Sequence, residues 1–239
     1  MKSSIFHFQQ FAVRHHDSGM KVGTDGVLLG AWVVLSPTAQ KVLDVGTGTG
    51  ILALMLAQRY AKISIEAIDV NPKAAAEAAE NFAQSPWSKR LNCEALPFSD
   101  FIDKNVISYD HIICNPPYYL GNNRSAVNER NQARNTSFLP LEELFKGIQK
   151  LLTSSGQCSL IIPTDRENEA SKWAAKTGLH LCRKTKVRGN KTAPYKRVLL
   201  TFSKVKMSCT LTELTLEVGR HQRTTEHQKL VDAFYLPKY

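Results

Sequence analysis

Four consecutive residues, Asn115, Pro116, Pro117 and Tyr118, place three different functional groups at the end of an apolar run, "YDHIIC". Two consecutive prolines end a strand and stiffen the chain, because proline fixes φ and has no backbone N–H to donate. The strand could therefore deliver the side-chain amide of Asn115, the carbonyl of Pro116 and the ring of Tyr118 to one point. An ordinary turn after a strand is the alternative, and these four residues alone do not decide between the two.

A second candidate site lies in "LDVGTGTG", where Asp44 precedes Gly46, Gly48 and Gly50. Glycines allow a tight turn and let a ligand approach the backbone with no Cβ in the way. A helix that starts there also presents its N-terminal amides to the ligand. The G-x-G-x-G spacing differs from the G-x-G-x-x-G of dinucleotide-binding proteins, and glycine clusters often serve only to turn the chain.

Asp69 lies at the end of the next apolar run, "ISIEAIDV", and helps to identify the ligand. A carboxylate at the end of the second strand can accept hydrogen bonds from ribose hydroxyls, although it could instead cap the helix that begins near Pro72. Together with the glycine turn, Asp69 favours a nucleoside ligand. Because Asp44 disfavours a nearby pyrophosphate and suits a cation, the pattern favours S-adenosylmethionine, with its sulfonium and ammonium groups, over NAD.

Alternating strands and helices must position these residues. Strands separated by helices indicate βαβ units, and hence a doubly wound α/β fold with a mainly parallel sheet. Such sheets bind ligands beyond the carboxyl ends of their strands, which is where Asp44, Asp69 and Asn115 stand. The predicted strands are "KVLDVG" (41–46), "ISIEAIDV" (63–70), "LNCEAL" (91–96), "YDHIICN" (109–115), "CSLIIP" (158–163), "LHLCRKTKV" (179–187) and "KRVLLTF" (196–202), with helices over 51–60, 72–84, about 140–153 and 166–177.

"DVGTGTG", Asp69 and "NPPY", in this order, resemble the class I S-adenosylmethionine-dependent methyltransferases that act on an amino group of a planar system. Asn115 to Tyr118 match the (D/N)PP(Y/F/W) motif of that family. The resemblance implies a Rossmann-like fold whose seven-stranded, mainly parallel sheet has an antiparallel last strand. It also implies that the Asn115 side-chain oxygen and the Pro116 carbonyl accept the two N–H bonds of the target amine, while Tyr118 stacks on the flipped-out base. Such positioning favours the reaction without a general base.

Nearly the whole chain is similar to the family of bacterial tRNA(Val) adenine-N6-methyltransferases, which modify adenine 37, the nucleotide 3′ of the anticodon. The similar segments include "MKVGTDGVLLGAW" (20–32), "NFAQSPW" (81–87), "NPPYY" (115–119) and "DAFYL" (232–236). In one departure, Pro97 stands where an acid commonly follows the third strand, so the contacts to the cofactor adenine stay open. Besides Asp44, Asp69 and the three glycines, the residues expected at the cofactor are Lys21, Gly23, Thr24, Leu96 and Phe98.

The positive charge is concentrated in one part of the chain. The net charge is +10, and residues 146–206 hold fourteen Lys or Arg against three acids, a balance of +11. Although many charge runs are only solvated surface, this concentration favours a polyanionic partner, and we expect tRNA. If strand 179–187 runs parallel to the strand that bears Asn115 and strand 196–202 returns antiparallel, the turn "RGNKTAP" (188–194) lies beside Asn115. The residues expected to contact RNA are Tyr119, Arg134, Arg188, Lys191, Lys196 and Arg197.

Composition and patterning predict a single cytosolic domain. The 239 residues contain no repeat or linker, and we divide them into an N-terminal extension (1–40), a core (41–203) and a C-terminal extension (204–239). The longest apolar stretch, "VLLGAWVVL", is far shorter than the roughly 20 residues that span a bilayer, and the N-terminus lacks a secretory pattern. Five scattered cysteines argue against a zinc site and a disulfide framework. We expect no metal, no membrane contact and no obligate protein partner.

The sequence therefore predicts an enzyme that methylates N6 of an adenine in tRNA, and three alternatives stay open. Glutamine N5-methyltransferases that act on release factors also use NPPY, but the basic segment favours RNA over a protein substrate. The glycine spacing, and the absence of an evident catalytic acid or base, disfavour an NAD-dependent oxidoreductase. Intact cofactor and NPPY motifs argue against a non-catalytic RNA-binding module.

Overall fold

An eight-stranded, mainly parallel sheet organises the computed structural model, which describes residues 5–15, 22–104, 106–116 and 139–236. The strand order across the sheet is β10-β8-β9-β7-β6-β3-β4-β5. The strands are β3 (Lys41–Val45), β4 (Ser64–Asp69), β5 (Leu91–Ala95), β6 (Tyr109–Cys114), β7 (Leu152–Pro163), β8 (His180–Arg188), β9 (Tyr195–Ser203) and β10 (Thr210–Thr215).

Helices cover both faces of this sheet. Strand side chains alternate between two hydrophobic clusters, so that Ile113 of β6 belongs to one and its neighbour Ile112 to the other. Helices α1, α2, α3 and α7 contribute to the Ile113 cluster, and α4, α5 and α6 contribute to the Ile112 cluster. The helices are α1 (Thr24–Trp32), α2 (Ile51–Arg59), α3 (Pro72–Ala83), α4 (Phe98–Lys104), α5 (Leu141–Leu151), α6 (Glu167–Lys176) and α7 (Thr225–Val231).

Two small antiparallel ribbons flank the sheet. Strands β1 (Ile5–His7) and β2 (Ala12–Arg14) form one of them, and β11 (Glu217–Gly219) and β12 (Gln222–Arg223) form the other. None of the described helices combines the length and the apolar character needed to cross a membrane.

The predicted doubly wound α/β, Rossmann-like class is confirmed, as are the directions of the last predicted strands. Strand β6 pairs in parallel with β3 and β7, and β9 runs antiparallel between β7 and β8. Strand β8 therefore runs in the same direction as β6, and the turn after it lies at the same edge as Asn115. This edge, where the parallel strands end, is called the carboxyl edge below.

The sheet has eight strands rather than the seven predicted. The additional strand, β10, comes from the predicted C-terminal extension and pairs in parallel with β8 at the end of the sheet. Its sequence, "TLTELT", leaves its first four residues exposed, so it lacks the apolar alternation that marks the inner strands. Edge strands commonly carry such polar residues because only one of their long sides is paired.

Candidate active site

The glycine loop (46–50) connects β3 to α2 through three left-handed residues. Gly46, Gly48 and Gly50 have φ values of 71°, 56° and 82°, a region that other residues enter only at a cost in free energy. A Cβ at Gly50 would lie 2.5 Å from Cε1 of Phe82, whereas a Cβ at Gly46 or Gly48 would meet nothing within 4 Å. The third glycine is therefore needed for packing against α3, and the first two leave open space above the backbone.

Asp44 is fully buried at the end of β3, directly below this loop. Its Oδ2 accepts a hydrogen bond of 2.6 Å from the Thr47 hydroxyl, while its Oδ1 makes no hydrogen bond of ordinary geometry within the described part of the chain. Burial raises the pKa of Asp44 from 3.8 to about 7, the charge of Asp69 adds to this rise, and the hydrogen bonds from Thr47 and the Ala53 backbone oppose it. A nearby cation favours the charged form of such a carboxyl group, so Asp44 suits a positively charged ligand.

Asp69 lies at the end of β4 and links two loops at the carboxyl edge. Its Oδ2 accepts a hydrogen bond from the backbone N–H of Gly48 (2.9 Å), and its Oδ1 accepts one from that of Asn71 (2.9 Å). The N-cap of α3 is Asn71, whose side chain accepts from the N–H of Lys73. Asp69 is thus not the helix cap, and its half-buried carboxylate keeps lone pairs for a ligand next to the glycine loop.

Three chain segments enclose a cleft of about 310 Å³ at this edge. They are the start of α1 with its N-cap (23–26), the glycine loop with the first turn of α2 (46–49 and 51–52), and Asn115 after β6. The structure therefore brings Gly23, Thr24 and Asn115 together with the glycine loop. Gly23 and Thr24 lie at the start of α1, and Asn115 directly follows β6.

Helix α1 is tied at both ends to the strands that carry the basic segment. At its N-terminal end, Asp25 accepts a hydrogen bond of 2.7 Å from Nε of Arg197 on β9. At its C-terminal end, the Trp32 indole donates to the Thr185 hydroxyl (2.8 Å), and Arg183 donates to the Trp32 carbonyl (2.7 Å). These contacts fix the α1 N-terminus at the cleft.

Leu96 and Phe98, like Asp44, Asp69 and Gly50, are not among the residues that line the cleft. Leu96 is adjacent to Asp69, because its N–H donates to the Asp69 carbonyl at 3.0 Å. Phe98 is buried with α5, and its ring carbons lie within 2.7 Å of where a Cβ on Gly147 would stand. The Phe98 ring thus packs in the Ile112 cluster, on the face of the sheet opposite helices α2 and α3. Lys21 lies outside the described residues.

The predicted amine-binding residues are described only in part. Asn115 is half-buried and lines the cleft, and Pro116 beside it is buried. Tyr118 lies outside the described residues, together with the predicted RNA contacts Tyr119 and Arg134.

The basic turn (188–194) lies at the carboxyl edge between β8 and β9. Arg188 donates to the Thr215 hydroxyl of β10 (2.9 Å) and stacks over the Tyr195 ring, with its guanidinium carbon 5.0 Å from the ring centroid. Lys191 and Lys196 are exposed. Arg197 is instead engaged with Asp25, so it joins the basic turn to the lip of the cleft.

Two polar residues at this site, Asp25 and Asn81, carry little local sequence signal. Asp25 accepts a hydrogen bond from Arg197, which is 172 residues away in the chain. Asn81 of α3 donates to the Thr49 carbonyl of the glycine loop (2.9 Å) and exchanges two hydrogen bonds with the backbone of Arg14 in β2. A polar residue on the buried side of α3 is the only hint of this role in the sequence.

Comparisons with known proteins agree with this geometry. The family model described as "Methyltransferase small domain" matches residues 18–170. A tRNA1(Val) (adenine(37)-N6)-methyltransferase from Christiangramia forsetii is 41% identical over 238 residues, which cover 99% of each chain. One from Flavobacterium psychrophilum is 40% identical over 232 residues, covering 97% of this chain and 99% of the relative.

A solved structure shares the fold at low sequence identity. The crystal structure of a protein described as a predicted O-methyltransferase, from Agrobacterium tumefaciens, superposes with a TM-score of 0.70 at 19% identity, covering 88% of this chain and 96% of that one. The fold, the cleft and the full-length similarity of its relatives together establish that the chain belongs to the tRNA1(Val) (adenine(37)-N6)-methyltransferase family.

Proposed function

We propose that this protein transfers a methyl group from S-adenosylmethionine to N6 of adenine 37 in tRNA(Val). The observation that carries the proposal is the cleft that joins Asn115 to the glycine loop in a chain of this family. S-adenosylmethionine, when bound, supplies an electrophilic methyl group on a positively charged sulfur. Because the substrate is a tRNA, the proposed reaction takes place in the cytoplasm.

The residues of the glycine loop fit a nucleoside that carries a positive charge. Asp69 binds the ribose hydroxyls with the lone pairs that Gly48 and Asn71 leave unused. The open space above Gly46 and Gly48 lets the ligand approach the backbone of the loop with no Cβ in the way. Asp44 supplies a compensating negative charge below the loop. Gly23 and Thr24 close the cleft from the α1 side.

Asn115 and Pro116 hold the target amine. The lone pair of an exocyclic amino nitrogen is delocalised into the ring, which makes the nitrogen a poor nucleophile. Two acceptors that bind its hydrogens favour a pyramidal nitrogen whose lone pair points towards the methyl group, so positioning alone accelerates the transfer. The buried Pro116 keeps its own carbonyl and the preceding Asn115 in place. Tyr118 stacks on the base, a contact that contributes about 1–3 kcal/mol.

The basic turn binds the RNA backbone next to the cleft. Arg188, Lys191 and Lys196 present their charges at the carboxyl edge, which is the edge that Asn115 faces. An unpaired base flips into a pocket at less cost than a paired one, so a loop nucleotide such as adenine 37 suits this site. Glutamine N5-methylation of a protein would not need this concentration of positive charge.

The proposal is tested by the tRNA of a strain that lacks the gene. We expect mass spectrometry to show loss of N6-methyladenine from tRNA(Val) in the deletion strain and its return when the wild-type gene is restored. Restoring the gene with Asn115→Ala should leave the nucleotide unmethylated. Unchanged methylation of tRNA(Val) in the deletion strain, with loss of N5-methylglutamine from a release factor, would instead favour the protein substrate.

A further inference from the structure

The β11–β12 hairpin (217–223) stands directly beside the basic turn. Strand β10 runs parallel to β8, and its Thr215 pairs with Arg188, so the chain leaves β10 at the carboxyl edge. The N–H of Leu216 then donates to the Arg188 carbonyl (3.0 Å), and that of Glu217 donates to the Gly189 carbonyl (2.8 Å). The hairpin is therefore hydrogen-bonded at its base to the basic turn and continues the same edge of the sheet.

The hairpin tip carries positive charge into solvent. Its sequence, "EVGRHQR", contains two arginines and a histidine against one acid, Glu217, which is half-buried at the base. Arg220 and His221 are exposed at the tip, and Arg220 makes no ion pair or hydrogen bond within the described part of the chain. Arg223 is held lower down, with its guanidinium carbon 4.2 Å from the ring centroid of Tyr235.

The backbone of the tip is tightly turned. His221 has a φ of 62°, and it is the one non-glycine residue with positive φ among those that the structure describes. Residues other than glycine adopt this conformation at a cost, and such outliers persist where the surrounding structure fixes them. The ladder between β11 and β12 fixes it here, because Gly219 pairs with Gln222 and leaves Arg220 and His221 as the two residues of the turn.

The position of the hairpin determines which part of an RNA it can reach. Strands β10 and β6 are four steps apart in the sheet, and at about 4.8 Å per step the hairpin lies roughly 19 Å from Asn115 along the carboxyl edge. A base in the cleft is too far away for Arg220 to touch it. The helical stem that adjoins the loop presents its phosphates across a distance of this order.

We propose that the β11–β12 hairpin is a second RNA-docking arm, in which Arg220 contacts phosphates of the stem that adjoins the methylated loop. This inference rests on the proposed tRNA substrate. The basic turn binds next to the loop, and the hairpin extends the same positive edge outward to the stem. Phosphate contacts of this kind position an RNA without reading its sequence.

The test compares the affinity for tRNA(Val), as a function of salt concentration, between wild type and Arg220→Ala. The slope of log K against log salt is negative, and each phosphate contact that is lost makes it shallower by about 1. We expect that reduction for Arg220→Ala and little change for Arg220→Lys, which keeps the charge. Lys62→Ala is the matched control, because Lys62 is exposed before β4 at the opposite edge of the sheet. The salt slope of Lys62→Ala should equal that of wild type. The affinity for S-adenosylmethionine should equal that of wild type in all three variants.

An isolated anticodon stem-loop separates the stem from the rest of the tRNA. The Arg220→Ala effect should be as large with the stem-loop as with whole tRNA. An effect seen only with whole tRNA would contradict the assignment to this stem, and an Arg220→Ala slope equal to that of Lys62→Ala would overturn the docking arm altogether. A wild-type protein that binds tRNA but does not methylate it would refute the proposed function, whereas the binding comparison would still decide the role of the hairpin.

Discussion

At the scale of single residues, we propose different roles for Asn115 and Asp44. Asn115 lines the cleft on the side where β6 ends, and it has no place in the contacts that Asp69 makes with the glycine loop. Asp44 is buried beneath that loop and is not among the residues that line the cleft. Substitutions of the two residues should therefore separate catalysis from cofactor binding.

Asn115→Ala should lower kcat by on the order of 10²-fold or more while leaving the Kd for S-adenosylmethionine nearly unchanged, because the variant lacks one preorganised acceptor for the amine. Asn115→Asp keeps an acceptor oxygen of the same reach and should retain much more activity than the alanine variant. Steady-state kinetics and titration calorimetry measure the two effects. A wild-type kcat in Asn115→Ala would remove Asn115 from the catalytic role.

Asp44 should make cofactor binding depend on pH. Its pKa of about 7 in the folded protein lies above the ordinary 3.8, so the carboxyl group is mostly neutral below pH 7. A cationic ligand binds better to the carboxylate, so its Kd should fall by up to tenfold per pH unit as the pH rises towards about 7, and then level off. Asp44→Asn should abolish this dependence. An identical pH profile in wild type and variant would contradict the assignment.

The raised pKa of Asp44 has the opposite effect on the stability of the ligand-free protein, which decreases as the pH rises. Because the folded pKa is higher than the unfolded one, the folded state binds more protons between about pH 4 and 7. The contribution of Asp44 to the free energy of unfolding therefore decreases as the pH rises through this range. Asp44→Asn should remove that decrease, which chemical denaturation at pH 5 and pH 8 would reveal.

At the scale of elements, we propose that the glycine loop combines a structural role with cofactor binding. Gly50 is constrained by φ and by the Phe82 ring, whereas Gly46 is constrained by φ alone and faces open space. The loop is held from below by Asp44 through Thr47 and from the side by Asn81. Its two ends should therefore respond differently to the same substitution.

Gly46→Ala should cost about 1–2 kcal/mol of unfolding free energy, which is the cost of a left-handed residue with a Cβ. Gly50→Ala should cost about 1–3 kcal/mol more, because the added methyl group overlaps Phe82. The affinity for S-adenosylmethionine should fall further in Gly46→Ala, whose methyl group occupies the ligand's space. Thermal denaturation and calorimetry compare the pair, and a Gly46→Ala protein that binds normally would show that no ligand approaches that part of the loop.

The elements of the core were predictable because their patterns are local. Strands β3 to β6 occupy the predicted apolar runs to within one residue at each end, and α3 begins at Pro72 with Asn71 as its cap. Helix α1 escaped prediction because seven of its nine residues are buried, which leaves no polar face to mark a period of 3.6. Strand β10 escaped it for the opposite reason, since most of its residues are exposed.

The candidate site was predictable only where strand ends supply it. Asp44, Asp69 and Asn115 each follow an apolar run, and a parallel sheet places such residues at one edge. The Asp25–Arg197 pair joins residues at opposite ends of the chain, so no spacing in the sequence reveals it. The place of Phe98 after the third strand predicts a contact with the cofactor, but the orientation of its ring depends on space left by Gly147 in α5.

At the scale of the whole molecule, we propose that the distribution of charge determines how RNA docks. The basic turn, the β11–β12 hairpin and the cleft share the carboxyl edge of the sheet. Lys62 and Lys89, in contrast, are exposed before β4 and β5, at the opposite edge. A long-range attraction would depend on all of these charges, whereas the proposed docking would depend on those at the carboxyl edge.

Arg188→Ala/Lys191→Ala should make the slope of log K against log salt for tRNA binding shallower by about 1–2 units, because up to two phosphate contacts are lost. Lys62→Ala/Lys89→Ala removes the same net charge from the opposite edge and should leave the slope unchanged. Binding of S-adenosylmethionine serves as the folding control for both. Equal salt slopes of tRNA binding in the two double variants would mean that the basic turn is only solvated surface.

The most direct test of the proposed function is methyl transfer in a purified system. The protein is incubated with methyl-labelled S-adenosylmethionine and a tRNA(Val) transcript, and the labelled nucleotide is identified and mapped by mass spectrometry. We expect one N6-methyladenine at position 37, absent when adenine 37 is replaced by guanine and strongly reduced with Asn115→Ala. Label at another nucleotide or atom of the tRNA, or in a glutamine of a release factor with none in the tRNA, would contradict the assignment.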